Sequence, residues 1–111
     1  MSDTTTEGVQ LSFYVHLRAR HDGRLLSEWL LEQARRQGVG GGSVFRATAG
    51  FGRHGVLHEE GFFELADDLP VKVEFLLPPG QADALLACVR EAGVHVVYAT
   101  STIRLGVLGA Q

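Results

Sequence analysis

The residues of this chain whose types and spacing suit chemistry cluster in one short stretch, Ala49-Gly50-Phe51-Gly52-Arg53-His54-Gly55. Its three glycines allow the backbone to turn and present N–H groups, and an arginine and a histidine beside them suit an anion. The stretch reads either as a ligand loop, with Arg53 clamping a phosphate, or as a solvent-exposed hairpin tip. Arg104, near the C-terminal end, is a second candidate phosphate ligand or an ordinary strand-end arginine.

Other constellations carry less. Gly38-Val39-Gly40-Gly41-Gly42 follows a helix pattern and precedes a strand pattern, the reverse of the context that aims a helix N-terminus at phosphate, so a helix cap plus connector is expected. His16, His21, His54, His58 and His95 match no closed zinc spacing, although His58-Glu59-Glu60 sets two carboxylates beside an imidazole. Cys88 sits mid-helix as an apolar filler, and Ser27, Ser43 and Ser101 lack a nucleophile-elbow context. Glu59-Glu60 and Asp67-Asp68 read as solvated loop acids, so no enzyme activity is expected.

These residues need a scaffold, and periodicity supplies one. Val9, Leu11, Phe13, Val15 and Leu17 alternate with polar positions as a half-buried strand. After a turn at Asp22-Gly23, Leu25, Leu26, Trp29, Leu30 and Ala34 predict a helix over about Arg24 to Gln37, capped by Gly38. Ser43 to Ala49 and Phe62 to Leu65 read as a hairpin with a long tip, and the third strand resumes at Val71 after a kink at Pro70. Ala82, Leu85, Leu86 and Val89 mark a second helix ending near Gly93, and Val97 to Leu105 alternate as a fourth strand. The order predicts an α+β fold, a ferredoxin-like βαββαβ sandwich with a four-stranded antiparallel sheet and two helices on one face. Residues 1–8 are expected to be a disordered tail, 9–105 the domain and 106–111 a loose C-terminal tail. The second sheet face has no cover within the chain, which suggests self-association.

At 111 residues the sequence suits one domain, and its 45% hydrophobic content suits a folded one. Ten basic against thirteen acidic residues give a net charge of -3 and no basic run, so nucleic acid is not an expected partner. A single cysteine excludes an internal disulfide, and the polar start MSDTTTEG lacks a signal-peptide pattern, so a cytoplasmic protein is expected.

GFGRHG followed by a loop and ADDLPVKVEFLLP resembles the root of the T-loop in PII signal-transduction proteins. The run from LSFYVHLRARHDG to GVGGGSVFRATAGFG, with DLPVKVEF after it, is more similar to the uncharacterised PII-like family called domain of unknown function 190. Gly38, Gly41, Val44, Arg46, Gly50, Phe51 and Gly52 fall at the positions of that family's GxxGATVxRGxxGFG pattern. The resemblance implies a homotrimer that binds an adenine nucleotide (AMP, ADP, ATP or cyclic AMP, with or without magnesium) in clefts between copies. It also implies that the loop over 50–61 reports occupancy to a protein partner such as a membrane transporter or channel. The ligand residues it implies are Gly50, Phe51, Gly52, Arg53, His54 and Arg104, the last reaching the ligand of an adjacent subunit. The PII phosphate loop TGxxGDGK is replaced by Arg90-Glu91-Ala92-Gly93-Val94-His95. A nucleotide would then be held differently, by Arg90 or His95, or carry fewer phosphates. The alternative is a divalent-metal-binding trimer resembling CutA proteins, with His54, His58 and Glu59 as ligands.

Overall fold

Leu11, Phe13 and Val15 project from one face of β1 (Thr4–His16), opposite Phe75, Val73 and Val71 of β5 (Pro70–Leu77), and these pairs form the floor of the core. The computed structural model of the chain describes residues 3–50 and 69–109. Two short strands, β2 (Arg20–His21) and β3 (Arg24–Leu25), lead into α1 (Leu26–Arg36); β4 (Gly42–Arg46) precedes β5, and α2 (Pro79–Glu91) and β6 (Val97–Val107) complete the domain. The main sheet has the order β4-β5-β1-β6 with every neighbouring pair antiparallel, which is the ferredoxin-like arrangement expected from the element order.

Both helices cover the same face. Leu26, Trp29, Leu30 and Ala34 of α1 and Ala82, Leu85 and Val89 of α2 are buried at the helical spacing legible in the sequence, and they close the core over the strands. Glu28 in the first turn of α1, and Arg35 and Arg36 in its last, complement the helix dipole. On the exposed side of α1, Arg35 forks onto both Glu32 carboxylate oxygens at 3.0 and 2.7 Å, and Arg36 adds a contact at 3.2 Å. The Arg35 hydrogen bond holds the Glu32 carboxyl below its usual range.

The turns follow from their residues. Asp22 and Gly23 both adopt positive φ, 58° and 79°, as a two-residue hairpin turn matching strand twist requires. At the end of α1, Gly38 has φ 83° and donates to Arg35 O, while Val39 donates to Ala34 O and buries its side chain. This pair of hydrogen bonds satisfies carbonyls that the helix end leaves free. Gly42 answers a different need: a Cβ there would come within 2.5 Å of Phe75 Cε1 and 3.0 Å of Leu31 Cδ2. Gly40 and Gly41 have open space around them, so the glycine run is the cap and connector that its position after a helix implied, with a packing contact at Gly42 that the position did not imply.

The chain ends depart from expectation. Thr4–Gly8, predicted as a disordered tail, are strand residues paired with Ile103–Val107, and Gly106 and Val107, assigned to the C-terminal tail, belong to β6. Gly109 N–H donates to the Asp3 carboxylate at 3.3 Å beyond them. Thr4 to Glu7 are exposed, so no apolar alternation announces this strand; β-branched threonines and ladder hydrogen bonds hold it instead. The predicted Phe62 to Leu65 strand lies outside the described residues.

Register also assigns the faces of β6, which alternation leaves open. Thr100 opposes Leu11 and Tyr98 opposes Phe13, so Tyr98, Thr100, Thr102 and Arg104 lie on the helix side. Val97, Ala99, Ile103 and Leu105 lie on the open face with Tyr14 and Ser12. Among the described residues no helix covers that face, and Tyr14 and Phe45 on it are 45% and 50% exposed.

Candidate functional site

β4 and β5 bring the root of the candidate loop to one end of the sheet. Ala47 N–H donates to Pro70 O at 2.9 Å, extending the β4–β5 ladder past Arg46. Gly50 then lies beside Pro70, where a Cβ would sit 3.4 Å from Pro70 Cγ, an ordinary contact. Gly50 has no positive φ either. Neither backbone conformation nor crowding within the described chain therefore requires glycine at this position, unlike Gly38 or Gly42. Phe51, Gly52, Arg53 and His54, the other ligand residues expected at this root, lie outside the described residues, as do His58 and Glu59.

Three other segments reach the same end. β1 finishes there, with His16 opposite Pro70 and Leu17 N–H donating to Leu69 O at 3.0 Å. The β2–β3 hairpin follows at once; Ala19 N–H donates to His16 O, and Leu26 N–H, at the start of α1, donates back to Ala19 O at 2.7 Å. Arg20 Nη2 braces the hairpin turn on Gly23 O at 2.8 Å, and His21 meets the Trp29 ring edge to face at 4.5 Å between centroids. The turn after α2, closed by Gly93 at φ 74°, delivers exposed His95 just ahead of Val97, which opposes Tyr14. Arg90, in the last turn of α2, is also exposed. The loop root and the segment standing in place of a phosphate loop thus share one end of the sheet.

Arg46 belongs to this end as well. It is the last residue of β4, opposite Val71 and on the helix side of the sheet, four positions before Gly50. Arg46 falls on the family pattern quoted above but carries no ligand role in it; its place before the glycines is the sequence signal for it, and the register supplies the rest.

Arg104 lies at the other end. It opposes Glu7, whereas Pro70 opposes His16, so nine positions of β1 separate the two levels. At ~3.3 Å per residue this is about 30 Å, beyond the reach of any side chain. One chain therefore does not bring Arg104 to the loop root.

Among the described residues no group of three or more histidine, cysteine or acidic side chains is placed to hold a metal ion. No helix among them is long and apolar enough to cross a membrane. Cys88 is half-buried with its thiol 3.5 Å from Gln33 Oε1, between the helices.

Comparison with known proteins then identifies the lineage. The model of DUF190, described as an uncharacterized ACR, matches residues 8–105. The chain belongs to the DUF190 family. A curated relative, the UPF0166 protein of Aquifex aeolicus strain VF5, is 38% identical over 55 residues, a match spanning 50% of this chain and 52% of the relative. Among solved structures, CPII of Thiomonas intermedia K12 bound to ADP and bicarbonate superposes with a TM-score of 0.61 at 19% identity, covering 92% of this chain and 91% of that one. The same protein bound to ADP, AMP and bicarbonate gives 0.63 at 18% identity, with the same coverage. A Thermus thermophilus protein described as PII-like and signaling gives 0.62 at 14%, covering 91% and 90%. The DUF190 chain thus has the PII-like fold.

Proposed function

We propose that this DUF190 chain is a non-enzymatic signalling protein that binds an adenine nucleotide between copies of itself in a homotrimer. The loop root at Gly50, with Phe51, Gly52, Arg53 and His54 following it, supplies one wall of each site, and Arg104 of an adjacent copy supplies the other. Arg46, Arg90 and His95 share the end of the sheet that carries the root; the two arginines add positive charge suited to phosphate and the imidazole a hydrogen-bonding group. Occupancy is read by a protein partner through the loop over 50–61. The single observation that carries this reading is the separation of about 30 Å between Arg104 and the loop root, which makes a shared site depend on a second copy. Similar folds solved with ADP and AMP support the ligand class.

Calorimetric titration with AMP, cyclic AMP, ADP and ATP, each with and without magnesium, tests it. Saturable binding by the assembled protein, lost in Arg53→Ala and in Arg104→Ala, is expected. Absence of binding to all four, or binding unchanged in both variants, would overturn the assignment. Without a phosphate loop of the TGxxGDGK type, the expected preference is for nucleotides with fewer phosphates.

A further inference from the structure

Every histidine among the described residues lies at the end of the sheet that carries the loop root. His16 closes β1 opposite Pro70, and His21 sits in the β2–β3 hairpin with its ring against Trp29. His95 arrives from the turn after α2, where Gly93 N–H donates to Arg90 O at 3.1 Å. Counting two residues past the last β1–β6 pair, Tyr14 with Val97, brings His95 level with His16. Val94 and Val96 on either side pack against the core, which anchors the backbone while His95 itself stays exposed.

Strand spacing sets the scale. β5, β1 and β6 are neighbours in the sheet at ~4.8 Å, so His95 stands about 10 Å from Pro70, beside which Gly50 lies. A phosphate group held at the root comes within reach of the imidazole. The charged and titratable groups around His95 are Arg90 and Glu91 in the last turn of α2, Tyr14 and His16 on β1, and Arg18 in the turn after it. Lys72, the chain's one lysine, pairs with Glu74 in mid-sheet. The segment that stands in place of a phosphate loop therefore offers an imidazole, whose charge changes between about pH 5 and 8, where a lysine would be charged throughout. Imidazoles and arginines gathered at one place repel as they charge, and a phosphate among them relieves that repulsion and accepts their hydrogen bonds.

We propose that His95 takes up a proton as a phosphate ligand binds at this end, so that affinity rises as pH falls. This coupling rests on the nucleotide reading above and gives it its regulation. Because the complex holds more protons than the free protein, the gain is complete in mild acid and is lost as pH rises through the range in which the bound state gives up the proton. An imidazole that holds its proton tenfold more tightly in the complex makes the ligand bind about tenfold more tightly in mild acid than in mild alkali.

Calorimetry with AMP, cyclic AMP, ADP and ATP at about pH 6 and about pH 8, on the wild type, His95→Gln and His95→Lys, reads the result. Repeating each titration in two buffers of different ionisation heat counts the protons taken up. The ligand's own titration is common to all three proteins and cancels between them. The wild type is expected to take up more protons than either variant, and its affinity relative to His95→Gln to be at least about fivefold greater at the lower pH than at the higher. His95→Lys, charged at both, should bind more tightly than the wild type at the higher pH. Equal proton counts and parallel pH profiles for the wild type and His95→Gln would overturn the coupling and leave the nucleotide reading standing. Binding of none of the four nucleotides at either pH would overturn both.

Discussion

Replacing Gly42 with alanine tests how tightly the strand leading to the loop root is seated. The new Cβ would approach Phe75 Cε1 to 2.5 Å, Phe75 Cδ1 to 2.8 Å and Leu31 Cδ2 to 3.0 Å. Phe75 is 1% exposed and meets Phe13 edge to face at 6.3 Å, so it has no free volume to retreat into. Relief requires β4 to lift from the core or Phe75 and Leu31 to leave their rotamers, and such overpacking typically costs about 1–3 kcal/mol. Gly41→Ala is the control, because nothing lies within 4 Å of its Cβ position and its φ is not positive. It should be neutral, or stabilising by about 0.4–1 kcal/mol through a less flexible unfolded chain. Urea unfolding followed by Trp29 fluorescence, at fixed protein concentration because assembly adds to stability, measures both. Gly42→Ala and Gly41→Ala unfolding at the same midpoint would refute the packing argument.

Gly23→Ala, at φ 79°, should cost about 1 kcal/mol in the same assay, and a variant as stable as wild type would contradict the two-residue turn. Gly50→Ala should leave stability unchanged, since a Cβ there makes only an ordinary contact, and should weaken nucleotide binding; the reverse pattern would make Gly50 structural. Glu32→Gln should lower thermal stability near neutral pH. Because the folded carboxyl is held below its unfolded value, the Glu32 contribution is present above that value and fades as pH falls through the folded one. The difference between variant and wild type should therefore vanish in acid and shrink in high salt, and a deficit that persists in acid would contradict the ion-pair account.

The fold was legible wherever one face of an element is buried. Leu26, Trp29, Leu30 and Ala34 announced α1, and Asp22-Gly23 and Gly38 announced their turns through conformations that few residues adopt. The first strand was legible only from Val9, because Thr4 to Glu7 are exposed and leave no hydrophobic period. The fourth strand was found, but which of its faces meets the helices depends on pairing with β1, a long-range property. The candidate site divides in the same way. Composition and motif pointed to Gly50 and Arg104 separately, yet their placement at opposite ends of the sheet needs the register, as does the company of Arg46.

Mixing two inactive variants tests the shared site most directly. Arg53→Ala keeps Arg104, and Arg104→Ala keeps the loop root, so a site joining a root from one copy to Arg104 of its neighbour is rebuilt only in mixed assemblies. Random 1:1 exchange in a cyclic oligomer should restore about one quarter of the sites. Calorimetry of each variant alone and of the exchanged mixture, with ADP as titrant, gives the answer. No binding by either variant and about one quarter of wild-type stoichiometry in the mixture is the expected result, whereas a mixture as inactive as its components, after subunit exchange has been verified, would contradict a site built between copies.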